Sequence, residues 1–438
     1  MTLFWALVGQ ALLSATRFLT SISVGGRFSN DDASVSGMGS PEQLGYYSTA
    51  FGILMLLVAV HEAFVTTPMT VFSQSDRTEE RQKTLSGSML TTSLLLICIL
   101  VVCGGVYCTW LMTSQVFSEA ATGVVIIMLL IAPLQLLREF SRRWLLANLE
   151  VRPSAILEFL IATVFIAALA IAVMNAKMSA TAVFCFVGGV NLLALAGCWA
   201  VYRHRFRFQA SDIRDTVGRN FRYGRWVAGE NVCSTITMYL CIWLLTVYVS
   251  EEAAGVFFAC FTVVLLANPF LLGVCSILAP RSAREFHEHG LEGLIRVLFQ
   301  YIGLILVVLV GFSGVLWFFG ESITNLFFGS QYEEFFNSHL NGKNSITSTL
   351  GLALPFLGVS FGLTCGLLAI NRPQDSFYSS VVGLAAIVIA TFLFSEVNFQ
   401  SAAVSFLISV IATMTSRLCF LILACRKLTL KTEPHGAA

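Results

Sequence analysis

The sequence predicts an all-helical integral membrane protein with twelve spans arranged as two six-helix halves. Three observations predict it: the composition, the recurrence of long apolar runs, and the placement of basic residues. Of 438 residues, 56% are hydrophobic and only 12% charged, and the mean hydropathy is +0.80, which leaves too little polar surface for a water-soluble globule. A run of about 20 apolar residues crosses a bilayer as a helix. Such runs are expected at 2–25, 44–73, 85–112, 118–147, 153–174, 178–202, 222–249, 253–280, 292–320, 346–370, 376–395 and 399–425. Uninterrupted stretches such as ATGVVIIMLLIAPLQLL argue for helices, because barrel strands show segments of about 10 residues with alternating polarity.

Basic residues sort by loop. When each of the 26 Lys and Arg is assigned to its connecting loop, including those just inside a span end, all but five go to the joins after even-numbered spans or to the C-terminal tail; Arg27, Lys177 and Lys343 follow odd spans, and Arg17 and Arg417 remain within spans. By the positive-inside rule both termini face the cytoplasm of a multi-pass protein in the cytoplasmic membrane. The first segment lacks a basic leader, and its apolar stretch continues past Arg17, so it is expected to be a span and not a secretory signal. Twelve cysteines sit almost entirely in apolar runs without metal or redox spacing, as small apolar filler.

The order of elements suggests 1–203 as an N-terminal six-helix bundle, 204–221 as a basic cytoplasmic linker, 222–426 as a second bundle and 427–438 as a cytoplasmic tail. The stretch from Tyr202 to Trp226 holds seven arginines. They could bind an anionic head group, although a topology signal at the lipid surface is the more ordinary reading. Spans 2 and 8 resemble one another: each opens with glycine followed by aromatics, at Gly45 and Gly255, and ends at a proline, Pro68 and Pro280. Two halves of six spans share orientation, as a parallel pseudo-twofold requires.

Several segments carry a family resemblance. LGYYSTAFG, at the start of span 2, resembles the signature of polysaccharide exporters and O-antigen flippases of the multidrug/oligosaccharidyl-lipid/polysaccharide (MOP) superfamily. YGRW (Tyr223–Trp226) looks like their Tyr-Gly-Lys-Trp opening of span 7, and EEAAGVFFACFTVV is similar to the start of their span 8. ITNLFFGSQYEEF and LLAINRPQDSF resemble their joins after spans 9 and 10. The first outer loop, RFSNDDASVSGMGSPEQ, and the stretch NSHLNGKNS are longer than that pattern. The resemblance implies a MATE/MOP-like fold and movement of an anionic lipid-linked oligosaccharide or polysaccharide precursor across the membrane by alternating access.

Charged residues at membrane depth are costly and face a cavity or a partner. Six stand out as candidates for a substrate path: Arg17, His61, Glu62, Arg225, Glu230 and Arg417, with Arg138 and Glu158 closer to helix ends. Arg17 and Arg417 suit phosphate, because guanidinium keeps its charge and presents forked donors. For Arg417 the alternative is an internal partner or snorkelling. His61 and Glu62 are neighbours about 100° apart on a helix, so at most one faces a lumen squarely. Glu62 could titrate as a coupling carboxylate for a proton or cation; the alternative for both is interhelical hydrogen bonding.

No nucleotide-binding glycine loop and no metal cluster appears, so no cofactor, metal or nucleic-acid partner is expected, and the chain is not expected to be an enzyme. A membrane glycan polymerase or ligase would need a large outer loop for its chemistry. A multidrug cation antiporter of the same superfamily shares the fold but calls for an acidic cavity, whereas arginines outnumber acids here. A non-transporting scaffold in envelope assembly is a third class. Glycan, carrier lipid, coupling ion and oligomeric state are not encoded legibly.

Overall fold

The computed structural model describes residues 2–27, 39–72, 79–114, 116–148, 150–175, 177–329, 331–332, 346–394 and 397–432. Most of two long joins, 28–38 and 333–345, and the last six residues lie outside them. The chain runs through α1 (Thr2–Val24), α2 (Pro41–His61, continuing to Phe72), α3 (Glu79–Ser114), α4 (Glu119–Ala147), α5 (Val151–Met174), α6 (Ala180–Tyr202), α7 (Ala210–Tyr248), α8 (251–289), α9 (291–328), α10 (Ile346–Ala369), α11 (Pro373–Leu393) and α12 (Phe399–Thr432). Ten rods among the described residues are long and apolar enough to cross a bilayer. One of these, 251–328, is two spans joined at Gly290, and α1 adds the twelfth.

Helix starts follow local chemistry. Serine side chains cap four helices: Ser40 accepts from Gln43 N–H at 3.1 Å, Ser118 from Ala121 at 3.2 Å, Ser179 from Ala182 at 3.2 Å and Ser250 from Ala253 at 3.0 Å. Each satisfies a donor that the helix itself cannot, which is worth about 1 kcal/mol. Between α10 and α11, Asn371 takes a left-handed backbone (φ 57°) and Pro373 begins the next helix, the pairing of a permissive end with a preset start.

Two joins differ from the expected spans. The stretch 204–221 is mostly helix, because α7 begins at Ala210, and only Arg203–Arg205 and the four residues after it break the path from α6. Helix α8 runs on past Pro280 to 289, and the turn into α9 needs only Gly290, whose φ of 64° and ψ of −146° no side chain tolerates well. The charge pattern sharpens as well. Arg138, Arg142 and Arg143, which the sequence pattern puts with the loop after span 4, are inside α4.

The chain forms two compact units, 1–235 with 242–259 and 327–329, and 236–241 with 260–326 and 330–438. In the first, α1 packs along α5, α4 packs between α2 and α6, and α3 lies against α4. Gly45 and Gly255 meet within this unit: a Cβ on Gly45 would stand 1.8 Å from the Glu251 carbonyl oxygen, and one on Gly255 would stand 1.8 Å from that of Pro41. Each glycine thus rests on the residue four before the other, a reciprocal contact between the two segments whose patterns resemble one another. Below the crossing, Thr49 and Thr246 hydroxyls are 2.8 Å apart, and Trp243 Nε1 donates to the Thr49 carbonyl at 3.3 Å.

In the second unit α12 packs on α10 and α11. A glycine stripe on α10, namely Gly351, Gly358, Gly362 and Gly366, receives Leu316, Leu309, Ile302 and Leu298 of α9, the small-residue packing that lets membrane helices approach without a hydrophobic driving force. Gly358→Ala is expected to cost about 1–3 kcal/mol by overpacking, since its Cβ would meet Leu309 and Ile305 side chains at 2.4 and 2.5 Å. Gly311→Ala, with nothing within 4 Å, is expected to leave the thermal midpoint of the purified protein unchanged or raised.

Candidate functional site

Proline 68 shapes the centre of the first unit. Without an N–H it cannot give the Phe64 carbonyl its α-helical partner, and α2 widens over Glu62–Thr66 into a π turn, with Thr67 N–H bonding the Glu62 carbonyl five residues back. The turn sits about 15 Å along the helix from its end at Phe72. It directs the two adjacent residues to different neighbours. His61 is fully buried and its Nε2 lies 2.8 Å from Ser93 Oγ on α3, while Glu62, about one-third exposed, reaches Arg143 Nη2 on α4 at 2.5 Å. They do not form one site.

Glu62 is the accessible end of a charged ladder. Arg143 also faces Glu139 with its Nε at 3.4 Å; Glu139 is paired with Arg142; Arg142 Nε lies 3.9 Å from Glu158 on α5; and Glu158 is paired with Arg138. The far pair is sealed, with side chains only 7% and 5% exposed, against 33% and 32% for Arg143 and Glu62. Three arginines balance three glutamates, so every buried charge has a partner, as low-dielectric surroundings demand. Phe140, Trp144 and Leu145 on the same helix fill the space towards α3 with Met89, and Trp144 Nε1 donates to Ser86 Oγ at 2.9 Å.

Half of this ladder, namely Glu139, Arg142 and Arg143, escaped the reading of the sequence, which singled out Glu62 and noted Arg138 and Glu158. The signal lay in REFSRR: Arg138 and Arg142 are four apart, as are Glu139 and Arg143, so one stripe of the helix is wholly basic and the adjacent one holds an acid and a base.

Helix α7 crosses α2 at the π turn. A Cβ on Gly224 would stand 2.5 Å from the Ala63 carbonyl oxygen, and Phe221 stacks on Phe64 at 5.7 Å, so the glycine of YGRW is required by a close backbone approach. Arg225, the next residue, is exposed with its Cζ 5.3 Å from the Trp226 ring, and Glu230 is half-buried further along the helix. Arg17 on α1 is also exposed; its Cζ lies 5.8 Å from the ring of Phe51, which stacks on Tyr47 and tilts against Phe258. It stands about 10 Å before the end of α1, too deep for easy snorkelling.

The six candidates are therefore not one cluster. Arg17 stands over an aromatic stack, Glu62 ends the ladder with His61 turned to α3, and Arg225 adjoins the α2–α7 crossing. Arg417 belongs to the second unit and is buried, its Nη1 2.9 Å from Ser360 Oγ and its Nη2 3.1 Å from Ser380 Oγ. Those hydroxyls join α12 to α10 and α11, which gives Arg417 the character of an internal tie.

A family model described as "polysaccharide biosynthesis protein" matches residues 40–286, more than half of the chain and all of the ladder. The chain belongs to the polysaccharide biosynthesis protein family. Its fold is that of MOP-superfamily transporters. The inward-facing conformation of a multidrug resistance MATE family transporter superposes with a TM-score of 0.78 at 14% identity, covering 97% of this chain and 96% of that one. An outward-facing MATE transporter superposes with a TM-score of 0.69 at 12% identity, over 99% and 95% of the two chains. A MOP superfamily transporter from Pyrococcus furiosus, described as having reversed polarity in its binding pocket, gives 0.71 at 12% identity over 98% and 95%. No curated protein matches significantly in sequence. Family and fold together support a multi-pass membrane protein with the fold of the MATE transporters. The family match covers His61, Glu62, Arg225 and Glu230 of this polysaccharide biosynthesis protein, and leaves both Arg17 and Arg417 outside it.

Proposed function

We propose that the protein moves an anionic lipid-linked oligosaccharide or polysaccharide precursor from the inner to the outer leaflet of the cytoplasmic membrane by alternating access, with both termini cytoplasmic. The observation that carries this reading is Arg17, an exposed guanidinium at membrane depth over the Phe51 aromatic stack. Exposure to hydrocarbon there would be costly, whereas a polar path with a diphosphate passing along it gives the charge a purpose. Aromatic faces beside it suit the apolar faces of sugar rings. Family membership points to the same class of cargo.

Glu62 and Arg143 supply a place where transport could be coupled to a proton. Arg143 faces two carboxylates, Glu62 and Glu139. An anion arriving at Arg143 would compete with Glu62 for its guanidinium. A cation antiporter would instead need Glu62 unengaged, and the ion pair to Arg143 opposes that reading.

The test is accumulation of lipid-linked glycan on the inner leaflet of cells depleted of the protein. Wild type is expected to relieve it. Arg17→Ala at normal membrane level is expected to lower the flipping rate about tenfold or more, the loss that follows from one charge-assisted contact to phosphate. Arg17→Lys should recover part of the rate. Absence of accumulation, with new sensitivity to cationic dyes, would overturn the proposal in favour of the antiporter.

A further inference from the structure

At the end of the first unit that carries the basic loops, a polar cavity of about 500 Å³ opens between the start of α3, the stretch 206–209 and the start of α7. Its lining includes Arg81, Arg207 and Arg219 against two acids, Glu80 and Asp215. Its walls are held in place. Arg207 N–H donates to the Lys83 carbonyl at 3.0 Å, its side chain pairs with Glu80, and its own carbonyl lies where a Cβ on Gly87 would be, 2.0 Å away. Arg219 is steadied over the Phe72 ring at 4.1 Å.

A second observation points into this cavity. Ser88 is 1% exposed, lines the cavity, and its hydroxyl has no hydrogen-bond partner among the described residues. A buried hydroxyl left unpaired costs about 1–3 kcal/mol unless something fills the site. Excess guanidinium, a rigid wall and an unused hydroxyl together define what would satisfy them: tetrahedral oxyanions with several acceptors.

We infer that this cavity binds a phosphate or diphosphate group, with Arg81 and Arg219 as the charged contacts and Ser88 as a donor. The volume exceeds what one phosphate fills and leaves room for an attached glycerol or sugar. The ligand is either the head group of an anionic lipid, for which arginines at the membrane surface are well placed, or a free phosphate compound. Neither Arg17 nor Glu62 is among its lining residues, and binding there can be measured without transport.

The experiment uses the full chain in nanodiscs of neutral phosphatidylcholine, titrated with inorganic pyrophosphate and followed by the thermal midpoint. In parallel, nanodiscs containing phosphatidylglycerol are examined by native mass spectrometry for retained lipid. Binding is expected in at least one arm. Arg81→Gln/Arg219→Gln should weaken it at least tenfold and Ser88→Val several-fold, while Arg284→Gln, an arginine of α8 in the other unit, should have no effect. A response to pyrophosphate identifies free phosphate compounds as ligands; retention of phosphatidylglycerol alone identifies a lipid head group. Binding in neither arm, or equal loss in Arg284→Gln, overturns the inference. If the double variant does not fold, unchanged binding in Ser88→Val overturns it as well.

Discussion

Arg138→Ala is expected to destabilise the protein by about 3–5 kcal/mol, because it strands Glu158 as an uncompensated charge in a nearly sealed site. Arg142 is poorly placed to take over, since its Nε, 3.9 Å from Glu158, donates together with Nη2 to Glu139. The loss should appear as a large fall in the thermal midpoint of the detergent-solubilised protein. Replacing both partners, Arg138→Leu with Glu158→Leu, removes the desolvation cost of two ions together with their attraction, and apolar pairs of similar volume are often neutral or better. The double variant is therefore expected to be more stable than Arg138→Ala alone. A double variant less stable than either single one would refute this account of the ladder and make the charges themselves necessary to the fold.

The second large effect is at the glycine crossing. Even a methyl group on Gly45 or Gly255 would stand 1.8 Å from a backbone carbonyl oxygen, and main chain cannot rotate away as a side chain can. Gly45→Val and Gly255→Val are expected to abolish recovery of folded protein from the membrane. The alanine variants should survive only by parting the helices, with loss of the Thr49–Thr246 and Trp243–Thr49 contacts. Because each glycine rests on the turn that precedes the other, one separation accommodates both methyl groups. The combined Gly45→Ala/Gly255→Ala variant should accordingly lose less than the sum of the single losses, measured as thermal midpoints. Strict additivity would mean that the two glycines are not in one contact.

Span positions were legible because hydrophobic length and the sorting of basic residues are one-dimensional signals. The ends moved where helix continues into water, as at Ala210 and past Pro280, since hydropathy marks where lipid stops and not where hydrogen bonding does. The glycines of spans 2 and 8 were noticed as a repeated pattern, but only packing reveals why they are glycines. His61 and Glu62 were expected to diverge by helical geometry; the partners, Ser93 and Arg143, lie 32 and 81 residues away and could not be read from spacing. Arg143 in particular looked like a loop residue, because a basic cluster near a span end carries the same local signature whether it meets water or a buried carboxylate.

What the sequence determined by itself was the architecture: twelve apolar helices, their order, and the end of the bundle that carries the basic loops. These follow from the cost of unsatisfied backbone and exposed charge in hydrocarbon, which acts on each segment separately. What only the tertiary structure decided was the pairing of charges and the separation of the candidate residues into distinct places. Arg17 stands over Phe51, Glu62 ends a six-residue ladder, and Arg417 ties three helices through Ser360 and Ser380. The physical reason is that a charge at membrane depth must find a partner, but which partner depends on the helix packed against it, and that is settled by side-chain volumes and close glycine contacts across the whole unit.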